Sequence, residues 1–168
     1  FEKRQKQGGK DEEGRTCWFQ LQDSSLTSKV NVEKIVKIKS VRDEQSAKEG
    51  MPFGKGVSES IDCFLDMAKN IGMRTFKDPE GVYGYAEIGP LDGELIGVFG
   101  HVDVVPEGDL ENWTEALPFS GDIVDGKIVS RGTLDDKGPM IINLMAVKYL
   151  IESGIEINKR IRLFVGGA

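Results

Sequence analysis

Apolar residues recur with helical spacing in three stretches of this chain, and these stretches predict three helices. The first covers Val30–Val41. In the second, Ser58 is the predicted N-cap and Gly72 the predicted stop, with apolar residues at i, i+3, i+4 and i+7 between them. The third begins near Pro139 and ends at Gly154. Because this third helix is apolar nearly all round, we expect it to be buried against a sheet.

Apolar runs and alternating runs predict the strands. Two of them, Val82–Ile88 and Glu94–Gly100, are separated by a turn signal, and Arg160–Gly166 forms a further apolar run. A hairpin is predicted around Asp125 and Gly126, since Asp-Gly is a favoured two-residue turn. Strands, a hairpin, a buried helix and a strand in this order predict an α/β fold, a layered sheet with helices and at least one crossover. We expect the sheet to be mainly parallel.

The segment Gly121–Ile128 nearly matches the phosphate-binding loop G-x-x-x-x-G-K-[ST]. That loop needs a hydroxyl after its lysine to hold magnesium, whereas Ile128 follows Lys127 here. The residues also alternate as in a hairpin, and a phosphate loop joins a strand to a helix. We therefore reject a nucleotide site and expect a positive φ angle at Gly126.

The 168 residues suggest a single domain, residues 30–168, preceded by a segment of different character. Residues 1–29 mix charges, Gln, Gly and Ser without helical or strand periodicity. This composition predicts a poorly ordered N-terminal segment.

Charge and cysteine content restrict the class of partner and the compartment. The chain has 22 Lys and Arg against 28 Asp and Glu, a net charge of −6, which disfavours binding to nucleic acid. No stretch approaches the ~20 apolar residues of a membrane span, and none resembles a secretory signal. Cys17 and Cys63 lie far apart in sequence, which fits a reducing compartment. We therefore predict a cytoplasmic protein, and the oligomeric state stays open.

The first candidate for chemistry is the histidine His101, the only one in the chain, which directly follows a predicted strand. In extended backbone, residues i and i+2 point the same way, so His101 and Asp103 are predicted to share a face. A carboxylate beside an imidazole fixes its tautomer and strengthens it as a metal ligand. The alternative is an ordinary loop histidine paired with its neighbour.

The second candidate is the pair Asp135 and Asp136, between a predicted strand and the start of the third helix. An aspartate before a helix is often simply a cap or turn residue. However, ligands of open α/β sheets gather beyond the carboxyl ends of strands. We therefore expect His101, Asp103 and Asp135 to lie close together at one edge of the sheet, as a metal site requires.

These motifs, in this order, resemble a known family. GHVDVVPEGD followed by Trp113, Pro118-Phe119 and SRGTLDDKGP is similar to the zinc-dependent aminoacylase and dipeptidase metallopeptidases. SVRDE and MPFGKG, at residues 40–44 and 51–56, favour the bacterial Xaa-His dipeptidase (carnosinase-like) branch. The resemblance covers about residues 30–165.

The resemblance implies a partial zinc-peptidase catalytic domain without a lid domain, and a site that holds two zinc ions in the intact family. His101 would ligate one zinc, Asp103 would orient the imidazole as the catalytic residue, and Asp135 would bridge the two metals. Asp136 would serve the turn and the helix start. Zinc would polarise the substrate carbonyl and acidify water, so that a dipeptide is hydrolysed.

The resemblance also has a clear departure. In the family, the last strand leads into an Asp-Glu-Glu-type segment with the general base, and further histidines bind metal. Here Gly166, Gly167 and Ala168 follow that strand. We therefore expect a truncated chain that binds zinc at most partially and is inactive alone. Three alternatives stay open: a deacylase of the same fold acting on N-acyl amino acids, a catalytically dead fragment or binding module, and an unrelated α/β protein.

Overall fold

The computed structural model describes residues 24–167. Their elements follow in chain order: α1 (Ser24–Val36), α2 (Lys55–Asn70), β1 (Arg74–Lys77), β2 (Tyr83–Ile88), β3 (Leu95–His101), a 3₁₀ turn (Leu110–Asn112), β4 (Asp122–Val124), β5 (Lys127–Val129), α3 (Lys137–Glu152) and β6 (Arg160–Gly166). The predicted N-terminal segment lies outside the described residues as far as residue 23, and residues 24–29 belong to α1.

A four-stranded sheet in the order β1-β2-β6-β3 forms the centre of the fold. The predicted α/β class is therefore confirmed. The expectation of a mainly parallel sheet is wrong, since β2 is antiparallel to both β1 and β6, and only β3 and β6 are parallel. The short turn between β2 and β3 reverses the chain. The crossover through α3 then places β6 between β2 and β3. In this position β6 is parallel to β3 and antiparallel to β2.

Two helix boundaries differ from those predicted. α1 begins at Ser24 and ends at Val36, so the last residues of the predicted helix lie beyond it. α2 begins at Lys55 with Gly54 at its N-cap, where no side chain caps the helix. The predicted cap, Ser58, is instead a buried residue inside the first turns of α2.

Strand β1 was not predicted. Its sequence, RTFK, lacks the apolar alternation by which half-buried strands are identified, and three of its four residues are exposed. It pairs only with β2, at the edge of the sheet.

The predicted hairpin is confirmed. β4 and β5 pair antiparallel, with Val124 opposite Lys127, and Asp125 and Gly126 form the turn with φ angles of 48° and 77°. Asp125 and Gly126 thus join two strands, whereas a phosphate-binding loop joins a strand to a helix. The rejection of a phosphate-binding loop is therefore confirmed. None of the helices in the described range is both long and apolar enough for a membrane span.

The core lies between one face of the sheet and the three helices. A Cβ atom at Gly84 would meet Leu65 of α2, and one at Gly100 would meet Met140 of α3. Both glycines pair with Val165 of β6, so α2 and α3 cover the same face of the sheet. The fully buried core side chains include Ile35, Val36, Ile61, Phe64, Ile141, Leu144, Leu163 and Val165.

Helix α3 packs against the sheet as predicted, but it is buried on one side only, although it is apolar nearly all round. Leu144 is fully buried, whereas Ile142 is 64% exposed and Tyr149 is 42% exposed. The sheet and α1 contact one side of α3. Nothing in residues 24–167 covers its opposite side.

We expect Leu144→Ala to lower the free energy of unfolding by about 2–5 kcal/mol, because it leaves a cavity in the core. Ile142→Ala removes a similar aliphatic group from the exposed side of the same helix and should change stability by less than about 0.5 kcal/mol. Urea unfolding of both variants measures the difference. Equal losses would contradict the one-sided burial of α3.

The sheet face opposite the helices carries a buried carboxylate. Glu87 accepts hydrogen bonds from Arg162 Nε at 2.7 Å and from an Arg74 guanidinium nitrogen at 3.2 Å. Burial raises the pKa of Glu87, but these hydrogen bonds and the charges of the arginines outweigh it and hold the pKa below 4.5. The ionised carboxylate therefore stabilises the fold.

Glu87→Gln should lower the free energy of unfolding at pH 7, and the gap to the original protein should narrow as pH falls below 4.5. The sign follows because folding lowers this pKa, so the stabilisation is full above the ordinary value and is lost as the carboxylate is protonated. Denaturant unfolding between pH 3 and pH 7 tests this. Glu94→Gln, at an exposed residue that pairs with Lys159, is the control. A gap that does not change with pH would contradict the assignment.

Candidate metal centre

Histidine His101 is the last residue of β3, at the carboxyl end of the only parallel pairing in the described sheet. Beyond it the backbone stays extended along β6, because Val102 N–H donates to Gly166 O at 3.0 Å. Two residues later Val104 N–H donates to Ser40 O at 3.0 Å. The strand end therefore presents His101 and Asp103 on a fixed backbone.

A tight loop before α3 brings Asp135 to the same place. Gly138 N–H donates to Gly132 O at 3.1 Å, which folds the loop back on the helix start, and the Asp135–Asp136 peptide bond is cis. Asp135 Oδ1 lies 3.1 Å from His101 Nε2. The structure thus brings together two residues that are 34 positions apart in sequence. Their predicted role as metal ligands stays a prediction.

The other ring nitrogen of His101 faces Asp103, as the i, i+2 argument predicted. His101 Nδ1 lies 3.2 Å from the backbone oxygen of Asp103 and 3.3 Å from its carboxylate Oδ1. A carbonyl oxygen can only accept, so Nδ1 is the nitrogen that carries the hydrogen in this contact. Asp135 Oδ1 is likewise an acceptor, so the Nε2 contact is a hydrogen bond only when Nε2 also carries a hydrogen, and a metal ion at Nε2 would take the place of that hydrogen.

Asp136 lies at the helix start, as predicted, but its side chain contacts β3 and not the helix. It occupies the N-cap position of α3, but its side chain makes no capping hydrogen bond. Instead its Oδ2 accepts from the backbone N–H of His101 at 3.2 Å. This contact needs a glycine before the histidine, because a Cβ atom at Gly100 would lie 2.3 Å from the same oxygen. Asp136 therefore ties the helix start to the end of β3.

Three carboxylates surround the imidazole and make the site strongly negative. Partial burial by itself lowers the pKa of His101. The hydrogen bond to the Asp103 carbonyl and the charges of Asp103, Asp135 and Asp136 outweigh this effect, so the pKa lies above its ordinary value. The site opens into a cavity of about 220 Å³ that Arg131 also lines. A field that favours a proton on Nε2 also favours a cation between Nε2 and Asp135.

The donor chemistry fits zinc in kind and falls short in number. Imidazole nitrogen and carboxylate oxygen are regular zinc ligands, and catalytic zinc normally has three protein ligands and a water. Within the described range, no group of three or more His, Cys, Asp or Glu side chains is arranged to hold a metal ion. His101 and Asp135 therefore form a two-donor site.

Two residues beside this site were missed by sequence reasoning. Lys137 is fully buried, and burial lowers its pKa to about 8. Ser40 is also fully buried and donates to Val102 O at 2.6 Å. A lysine after two aspartates looks like a surface charge, and a serine that follows a lysine looks like a loop residue. No pattern in the sequence indicated their burial.

The chain is similar to known peptidases in sequence. Residues 97–168 match the family model of Peptidase family M20/M25/M40. "Putative dipeptidase YtjP" of Bacillus subtilis (strain 168) is 40% identical over 136 residues, which are 81% of this chain and 28% of the relative. "Putative dipeptidase SH1171" of Staphylococcus haemolyticus (strain JCSC1435) is 39% identical over 132 residues, 79% of this chain and 27% of the relative. The chain thus spans just over a quarter of the length of these relatives.

Solved structures show the same fold. An M20 family metallo-carboxypeptidase, Sso-CP2 from Sulfolobus solfataricus, superposes with a TM-score of 0.67 at 24% identity, over 83% of this chain and 30% of that protein. Human carnosine dipeptidase 1 superposes with a TM-score of 0.67 at 22% identity, over 87% of this chain and 33% of that protein. The resemblance recognised from the sequence is therefore confirmed: this chain is similar to peptidases of family M20/M25/M40 and spans only part of their length.

Proposed function

We propose that residues 30–168 are the N-terminal part of the catalytic domain of a zinc-dependent dipeptidase. The observation that carries this proposal is the contact between His101 Nε2 and Asp135 Oδ1, 3.1 Å, at the carboxyl end of β3. Two ligands bound to one zinc with bonds of about 2.0–2.2 Å lie at a similar separation from each other. The relatives named as dipeptidases support the choice of substrate.

In this proposal, His101 and Asp135 are the residues that would hold zinc. Bound zinc would supply polarisation of the peptide carbonyl and a water of lowered pKa. Asp103 keeps the hydrogen on Nδ1 through its carbonyl, so that Nε2 stays available. Asp136 holds the His101 backbone and thereby sets the height of the ring above the end of the sheet.

We further propose that the polypeptide of this sequence does not turn over dipeptides by itself. Two protein donors leave a zinc ion short of the three that catalytic sites use. The described cavity also contains no carboxylate beyond Asp103 and Asp135 that could serve as a general base. Within residues 24–167 Cys63 forms no disulfide, which supports the proposal of a reducing, cytoplasmic compartment.

Zinc titration by calorimetry at pH 7 tests the site. We expect weak binding that His101→Ala abolishes and Asp135→Asn weakens by more than about 10-fold, since both remove a direct ligand. Asp92→Asn is the matched control, because Asp92 is an exposed residue in the turn at the opposite end of β3. Equal zinc affinity in all four proteins would refute the metal site.

A dipeptide-cleavage assay with added zinc tests the second part. We expect no hydrolysis above background, because loss of a general base alone costs about 10²–10⁴-fold in rate and an incomplete ligand set adds to that loss. His101→Ala serves as the reference for background. Robust hydrolysis that this substitution abolishes would show that the chain is active alone.

A further inference from the structure

Lys137 links the loop of Asp135 to the end of α1. It is the first residue of α3, two positions after Asp135, and its side chain is fully buried. Its Nζ donates to the backbone oxygen of Ile35 at 3.1 Å and to that of Ile38 at 2.7 Å. The first carbonyl belongs to the last turn of α1, and the second lies two residues beyond the end of this helix.

Ser40 links the same part of the chain to the loop of His101. Its Oγ donates to Val102 O at 2.6 Å, and its backbone oxygen accepts from Val104 N–H at 3.0 Å. Val102 and Val104 flank Asp103, and Val102 directly follows His101. A single residue, Lys39, separates Ile38, whose backbone oxygen accepts from Lys137, from Ser40, which contacts the strand end.

The connecting segment, residues 35–40, has little freedom to move. Ile35 is fully buried in the core, and Ile38 N–H donates back to Ile35 O at 3.3 Å. A Cβ atom at Gly56 would lie 2.0 Å from Lys39 O, so the start of α2 packs directly against this segment. Residues 35–40, called the strut below, are therefore a closely packed connection between the loop of Asp135 and the loop of His101.

A lysine is a costly residue for this position. An ammonium group that is removed from water loses hydration that two carbonyl acceptors replace only in part. Methionine would fill a similar volume without this cost. What methionine lacks is the ability to donate hydrogen bonds at fixed positions, and this ability is what holds the Asp135 loop against the strut.

We propose that Lys137 is a positioning residue, which together with Ser40 sets the separation of Asp135 from His101 through the strut. This inference rests on the proposed function, in which these two residues hold the metal. It adds that the geometry of the pair depends on two buried side chains that touch neither the metal nor the substrate.

The experiment compares matched pairs of variants of the whole chain. Lys137→Met is paired with Lys77→Met, which removes a lysine that contacts α2 through Ser58 and Asp62. Ser40→Ala is paired with Ser60→Ala, which removes a buried hydroxyl that has no hydrogen-bond partner within residues 24–167. Thermal unfolding reports stability, zinc calorimetry reports affinity, and ¹⁵N NMR of the metal-free chain reports the imidazole of His101. The ring signals are unambiguous because the chain has one histidine.

We expect Lys137→Met and Ser40→Ala to shift the imidazole signals and to weaken zinc binding by about 10-fold or more, as loss of a supporting contact does at metal sites. The two control variants should leave both readouts unchanged. A purely structural role would change the melting temperature without changing either readout. If Lys137→Met does not fold, Ser40→Ala decides the question alone.

Unchanged ring signals and zinc affinity in folded Lys137→Met, or in Ser40→Ala where that variant decides, would overturn the inference. An original chain that binds no zinc would overturn the proposed function instead. The imidazole signals of the metal-free variants would then still decide whether Lys137 and Ser40 position the ring.

Discussion

The parallel pairing of β3 with β6 is the constraint on which the candidate site depends. β6 follows α3 in the chain, so this pairing requires the crossover that lays α3 across β3 and β6. The loop before α3 is thereby brought to the carboxyl end of β3. His101 and Asp135 meet there because the topology leaves that loop no other place.

The pairing brings the two loops to the same edge, and buried polar contacts then set their separation. The Asp136 carboxylate holds the His101 backbone, and Lys137 and Ser40 hold both loops to the segment after α1. Hydrogen bonds suit this task because they have a preferred length and direction, whereas apolar packing tolerates small shifts. This division of contacts explains the order Asp135-Asp136-Lys137. Asp135 faces the imidazole of His101, Asp136 accepts from the backbone N–H of His101, and Lys137 points into the core.

Charged residues have different surroundings at the carboxyl end of β3 and on the face of the sheet opposite the helices. At the strand end, carboxylates surround an imidazole and create a negative field that favours a cation. On the face away from the helices, arginines surround Glu87 and keep it ionised. Aromatic rings continue that face, with Phe99 and Phe164 stacked at 4.6 Å between ring centroids. The first arrangement is the one that the proposed function uses to hold a metal ion, and the second stabilises the sheet.

The sequence by itself determined the features that depend on local patterns. Periodicity identified the helices and most strands, Asp-Gly identified the hairpin, and the two motifs predicted that His101, Asp103 and Asp135 lie close together. Tertiary structure decided the rest, because it depends on which segments meet. The strand order made the sheet mixed, the one-sided contacts of α3 left Ile142 exposed, and the packing of α1 against the loops buried Lys137. Which side chains are buried depends on how the helices and the sheet pack against one another. The spacing of residues along the chain does not predict that packing.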